Sequence, residues 1–271
     1  MALDDVYLGN TGGDGGDKHG YNPQNVIDLS NDISTAYENC CTGIVETLHD
    51  EIVTPISTAW YAPEACKFFG SDATDGILGI GAVQADENSL KEVVKKTSET
   101  IFKCFDGFRQ DIESAGQNWF NNTSGAGEST GDISLPAFKQ IDLELDVSAI
   151  QDKDGEGNVV LDGSAVKAVS DKLADVQESI KTKMTAEKDK LDAATSFIGG
   201  GQATAIEGCF ERLLEAISTI FKWLSEGDES LQSAFNAAMQ KYSDVASNIA
   251  SAYNEATFDD AGQSGGGTGT A

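Results

Sequence analysis

The sequence predicts a mainly α protein of long antiparallel helical hairpins forming a bundle, with one small β-hairpin insertion at about residues 138–162. Apolar residues recur three and four positions apart in residues 24–120 and again in 164–258, which is the period of an amphipathic helix. Between these regions the period changes to two, which is typical of a half-buried strand. Both ends of the chain are rich in glycine, which predicts flexible or extended termini.

These patterns divide the chain into five parts. In order they are an N-terminal arm (1–23), a helical hairpin region (24–120), a linker with the β-hairpin insertion (121–163), a second helical region (164–258) and a tail (259–271). At 271 residues, with 39% hydrophobic residues, the chain has enough apolar material to bury one or two sizeable cores.

The first helical region opens with one long amphipathic stripe. Its members are Val26, Leu29, Ile33, Tyr37, Cys40, Ile44, Leu48, Ile52, Ile56 and Trp60. Pro55 lies inside this pattern, removes one backbone donor and crowds the preceding turn, so we expect a bend near Val53.

The stripe ends at Trp60-Tyr-Ala-Pro-Glu-Ala-Cys-Lys-Phe-Phe69, which predicts the tip of a helical hairpin. Pro63 is expected to begin the second helix, because a proline at the first helical position lacks only a donor that would be unpaired there anyway. Trp60 and Phe68 are expected to lock the two helices together. If Trp60 is buried in this way, its removal should be strongly destabilising.

The order of Trp60, small Ala62 and Phe68 resembles the tip of the WXG100 (ESAT-6-like) proteins, in which Trp-x-Gly joins two antiparallel helices. Ala62 stands where that family has its glycine. The resemblance covers about residues 25–120 and extends to 165–258. It implies a non-enzymatic protein that is exported folded by a type VII-like route and acts through helix–helix association.

The insertion begins with Ile141, Leu143, Leu145 and Val147, which alternate with acidic residues and predict a strand. After a turn over 152–158, residues 159–161 can pair back onto this strand as a hairpin. Such a hairpin needs a helix or a neighbouring chain to cover it.

The same turn is the best candidate for a cation site. Asp152, Asp154, Glu156 and Asn158 match positions one, three, five and seven of an EF-hand calcium loop. Gly163 stands at position twelve, where such loops have a bidentate glutamate, so the oxygen shell would be incomplete. An acidic turn without metal is the favoured interpretation, with calcium as the alternative and no other cofactor expected.

Charge limits the classes of partner. The formal net charge of −27 and the pI near 4.1 disfavour nucleic acid, which is bound by clustered Lys and Arg. No apolar run approaches the roughly 20 residues that span a bilayer, and the N-terminus lacks the pattern of a Sec signal peptide. Because the WXG100 resemblance implies export without a Sec signal, we expect a secreted or surface-associated protein, with a cytoplasmic location as the alternative.

No catalytic constellation is predicted. The only histidines are His19, in the glycine-rich arm, and His49, on a helix beside Asp50. The five cysteines lie mostly on apolar stripes and include no Cys-x-x-Cys pair, which favours buried reduced thiols.

Two hypotheses of function follow. The first is a non-enzymatic helical protein that pairs with itself or with a helical partner protein, exported as a WXG100-like protein. The second is a structural subunit of a filament, virion or cell-surface assembly, whose termini and β-hairpin contact neighbouring subunits by strand addition.

Overall fold

The computed structural model of the protein describes residues 23–71, 88–123, 135–194, 200–226 and 230–261. The elements, in chain order, are α1 (Pro23–Leu48), a π-helical turn (His49–Val53), α2 (Thr54–Ser57), β1 (Trp60–Tyr61), α3 (Pro63–Phe69), α4 (Leu90–Thr123), β2 (Val160–Leu161), α5 (Gly163–Asp171), α6 (Leu173–Ala194), α7 (Gly200–Ser225) and α8 (Leu231–Ala261). The predicted fold class, mainly α with a small antiparallel sheet, is confirmed.

Four long helices form a bundle, in which α1 packs on α4, α4 on α7, α7 on α6 and α6 on α1. Residue contacts show that each neighbour runs antiparallel to the next. The pairs that fix these directions are Asn39 with Glu187, Gly43 with Lys183, Phe105 with Phe210, Asn88 with Trp223, Gln177 with Ser225, and Lys181 with Phe221. The bundle thus consists of two helical hairpins, α1 with α4 and α6 with α7.

The apolar stripe predicted between Val26 and Trp60 is buried along its whole length. Near its end, where Pro55 predicts a bend at about Val53, the helix contains the π-helical turn. The amide of Thr54 donates to the carbonyl of His49, five residues earlier. Proline cannot donate to the turn before it, and a π-helical turn is one way in which a helix accommodates that loss.

The segment 135–147 is extended and lies against the helices, and a turn follows at residues 148–149. Leu143, Leu145 and Val147 are buried, whereas the residues between them are exposed, so the predicted alternation is present. The amide of Leu143 donates to the Ser98 hydroxyl (2.8 Å), and that of Ile141 donates to the Tyr37 hydroxyl (2.8 Å). Hydroxyl groups of helix side chains therefore accept backbone hydrogen bonds that a second strand was expected to accept.

The pairing predicted within the insertion differs from the observed sheet. Val160–Leu161 pairs antiparallel with Trp60–Tyr61, not with residues 141–147. Two backbone bonds flank this ladder, from Asp162 N to Ala59 O (2.7 Å) and from Ala62 N to Gln151 O (3.2 Å). The turn after Gln151 thus returns the chain to residues 59–62, so that the sheet joins the insertion to the hairpin tip.

Among the described helices, none has the combination of length and apolarity needed to span a bilayer. The predicted arm (1–23) and tail (259–271) lie largely outside the described residues, as does much of the linker, including residues 124–134.

Candidate interaction surface

The hairpin tip is built from β1 and α3, and it begins the second helix where the sequence predicts. Pro63 occupies the first turn of α3, and Ala62 is its N-cap residue in an extended conformation (φ −162°, ψ 152°). Any L-residue adopts that conformation, so this tip has no backbone requirement for glycine at position 62. Ala62 is fully buried and its carbonyl accepts hydrogen bonds from the amides of Ala65 and Cys66.

Trp60 and Phe68 are both at the tip, but their aromatic partners differ. The Trp60 ring is only 2% exposed and packs edge-on against Phe235 of α8, with ring centroids 5.8 Å apart. Phe68 packs on Trp223 of α7, with centroids 4.6 Å apart. Trp60 and Phe68 were expected to lock the two helices of one hairpin, and their aromatic contacts connect the tip to two different helices of the C-terminal third.

The two indole groups also differ in hydrogen bonding. Trp223 Nε1 donates to the carbonyl of Asn88 at 2.8 Å. The buried Nε1 of Trp60 has no acceptor in the described part of the chain. A buried donor without a partner costs about 1–3 kcal/mol, so the burial of the Trp60 ring must outweigh that cost.

An ion pair adds a polar contact between the tip and α8. Lys241 Nζ lies 2.7 Å from a carboxylate oxygen of Glu64 in α3. Partial burial raises the pKa of Glu64, but the hydrogen bond and charge of Lys241, with a backbone hydrogen bond, outweigh that effect and leave the pKa below its ordinary value. The first part of α8 is thus held to the tip by one aromatic contact and one ion pair.

The rest of α8 differs sharply from its beginning. We call residues 231–242 the inner segment and residues 243–261 the outer segment. Leu231 and Phe235 in the inner segment are fully buried, whereas every residue from 243 to 249 in the outer segment is exposed. Val245 is 52% exposed and Ile249 is 65% exposed.

One apolar stripe runs through both segments, which we call the α8 stripe. Its members follow one another at alternating intervals of four and three residues, and are Leu231, Phe235, Ala238, Tyr242, Val245, Ile249, Ala252 and Ala256. This spacing is the heptad pattern of helices that pair side by side. The sequence shows the spacing of this stripe, but only the structure shows that its side chains at Val245 and Ile249, beyond Tyr242, are exposed.

In the candidate calcium turn, the Asp154 carboxylate accepts hydrogen bonds from residues of the turn itself. Asp154 accepts hydrogen bonds from the amides of Glu156 (2.9 Å) and Asn158 (2.8 Å) and from the Asn158 side chain, and the bonds from Asn158 lower its pKa most. Asp152 is largely buried. In the ranges that the structure describes, no three or more His, Cys, Asp and Glu side chains form a group able to share an ion.

A cavity of about 540 Å³ lies between α3, the start of α4 and the end of α7. Phe68 and Trp223 line it together with Lys67, Lys222 and Glu226, among others. The described lining residues include the hydroxyl-bearing Ser89 and Thr219 but no histidine, so they do not provide the hydroxyl–imidazole pair that activates a serine nucleophile.

No protein-family model matches this chain, and comparison with curated proteins and with solved structures gave no match.

Proposed function

We propose that this chain is a non-enzymatic helical protein that acts by helix pairing, with itself or with a helical partner protein, through the outer segment of α8. The observation that carries this proposal is the α8 stripe, which is buried at Leu231 and Phe235 and exposed at Val245 and Ile249. Apolar side chains at heptad spacing on an exposed helix are typical of a surface that another helix covers.

The titratable groups of the described residues support a non-catalytic role. Burial raises the pKa of Cys66 to about 11 and those of Cys41 and Cys209 to about 12, so these thiols remain protonated near neutral pH and are weak nucleophiles. His49 is on the surface, where its Nδ1 lies 3.0 Å from a carboxylate oxygen of Asp50. These groups are better explained by packing and solvation than by catalysis.

Photo-crosslinking in cells of the source organism tests this function. A photoreactive residue at position 249 should give a discrete crosslinked product, because that position lies on the α8 stripe. The same residue at position 247, which is exposed on the opposite face of α8, is the matched control. Equal crosslinking at both positions, or none at either, would contradict the proposal.

Export by a type VII-like route, as for the WXG100 proteins that the tip resembles, is the proposed route to a secreted or surface location. A buried Trp60 followed by Pro63 at the start of α3 supports the resemblance. The protein should be present in the culture medium of its host and should disappear from it when the exporter is disabled. Retention in the cytoplasm of an export-competent host would remove this part of the proposal.

A structural subunit of a filament, virion or surface assembly is the second candidate. It is favoured by the extended segment 135–147, which has no strand partner in the described part of the chain and could accept one from a neighbouring subunit. The termini are the proposed source of that strand, so deletion of residues 1–23 and 260–271 should reduce the oligomer size in light scattering, and an unchanged size would contradict this candidate.

A further inference from the structure

The charge of the outer segment of α8 restricts what can cover the α8 stripe. From residue 242 to the end of the chain there is no lysine or arginine, whereas four carboxylates fall within α8, namely Asp244, Glu255, Asp259 and Asp260. In sequence, the outer segment therefore has negative charges and no positive ones, in addition to its apolar stripe.

On the bundle helix α6, in contrast, acidic residues form ion pairs with lysines of the same helix. On α6, Lys188 pairs with Asp192 (3.0 Å) and Lys190 pairs with Glu187 (2.6 Å), so the helix neutralises part of its own charge. On the outer segment of α8, the described hydrogen bond of Asp244 comes from the neutral amide of Gln240 (2.8 Å). Any cation that neutralises this segment by helix pairing must come from the partner.

A second copy of this chain would be a poor partner for the same reason. Pairing α8 with α8 would bring two acidic segments together, and like charges across paired helices are destabilising. The net charge of −27 on each copy adds long-range repulsion. A basic helix would instead be attracted by the same charges and would gain ion pairs beside the apolar contact.

We propose that the outer segment of α8 binds a cationic amphipathic helix of another protein, whose apolar face covers Val245 and Ile249. This inference rests on the proposed function, since it names the chemistry of the partner that the α8 stripe pairs with. Lysine or arginine residues on that helix are attracted by the negative charge of the outer segment. The apolar stripe supplies affinity, and the charge selects the partner over a second copy.

The test uses the full chain and two synthetic helical peptides. Both peptides carry leucine at heptad positions a and d, and they differ only in having lysine or glutamate at positions e and g. Binding is followed by fluorescence anisotropy of the labelled peptide. We expect saturable binding of the lysine peptide and at least about tenfold weaker binding of the glutamate peptide, because charges at these positions set partner choice.

Variants separate pairing along the stripe from general attraction to an acidic protein. The double change Val245→Ser and Ile249→Ser keeps the net charge and should weaken binding of the lysine peptide at least about tenfold, because the apolar contact is lost. Leu214→Ser is the matched control, since it removes a 38% exposed leucine from α7 and should leave binding unchanged. Circular dichroism verifies that each variant retains its helix content.

Four outcomes would overturn the inference. Equal affinity for the two peptides would show that charge does not select the partner, and full affinity in the double serine variant would show that the stripe is not used. If neither peptide binds and light scattering shows a dimer that Ile249→Ser dissociates, the occupant is a second copy. That third outcome would refute the cationic partner but would sustain the proposed function, whereas a monomer that binds neither peptide and gives no position-dependent crosslink would refute both.

Discussion

The two segments of α8 have the same apolar pattern but opposite environments. In the inner segment the stripe is covered by the hairpin tip, with Trp60 against Phe235 and Lys241 against Glu64. In the outer segment the same pattern continues at Val245 and Ile249, and both side chains are more than half exposed. A heptad stripe thus predicts that another element covers the helix. It does not indicate whether that element belongs to the same chain or to a partner.

The inner contact should be the more costly one to remove. Trp60→Ala should lower the free energy of unfolding by about 3–5 kcal/mol, because it deletes a buried aromatic ring that packs against α8. Trp60→Phe is the matched control and should cost much less, since it keeps a ring and removes an indole donor that has no acceptor among the described residues. Urea denaturation measures both changes, and a loss below about 1 kcal/mol for the alanine variant would show that the tip does not bury this ring.

The extended segment provides an intermediate case, because it lacks a strand partner among the described residues yet is buried against helices. Tyr37→Phe removes the hydroxyl that accepts the Ile141 amide, which should cost about 1–3 kcal/mol because that partly buried donor is left unpaired. Urea denaturation again gives the value, and hydrogen exchange at Ile141 should accelerate. An unchanged exchange rate would mean that the Tyr37 hydroxyl does not hold this segment.

The ion pair between Lys241 and Glu64 should contribute less than the aromatic contact beside it. Both side chains are more than half exposed, so Lys241→Gln should cost no more than about 1 kcal/mol at neutral pH. Folding lowers the pKa of Glu64 below its ordinary value of 4.5, so the stabilisation is complete above that pH and is lost as the pH falls through the folded pKa. Stability curves of the wild type and Lys241→Gln should therefore converge in acid, and a constant difference would contradict this assignment.

The outer stripe should have the smallest effect on stability. Ile249→Ala should change the free energy of unfolding by no more than about 0.5 kcal/mol, because the side chain is exposed in the isolated chain. The same substitution should weaken crosslinking to a partner at the outer segment. A destabilisation of the size expected for a buried isoleucine would show that another part of the chain covers this position.

Much of the fold could be predicted from the sequence, because local signals determine it. The spacing of apolar residues predicted the long helices, and Pro63 predicted the start of α3. The alternation at Leu143, Leu145 and Val147 predicted which side chains are buried. These features depend on periodicity and on the covalent chemistry of proline, which the sequence shows directly.

Partners distant in sequence could not be predicted in the same way. Nothing local indicates that Trp60 meets Phe235, that Val160–Leu161 pairs with β1, or that Tyr37 accepts the amide of Ile141. A stripe or a strand signals that a face will be covered, and many surfaces of similar apolarity can cover it. For the same reason the sequence did not distinguish the covered inner segment of α8 from its exposed outer segment.

Hydrogen exchange along α8 tests the central claim most directly, because it reports on both segments in one experiment. In the isolated chain, amides of the inner segment should exchange slowly and those of residues 243–249 should exchange rapidly. Addition of the lysine-flanked helical peptide should slow exchange in the outer segment and leave the inner segment unchanged. The central claim is that the inner segment of α8 is covered by its own chain and that the outer segment binds another helix. Equal protection of both segments in the isolated chain, or an outer segment that the peptide does not protect, would contradict it.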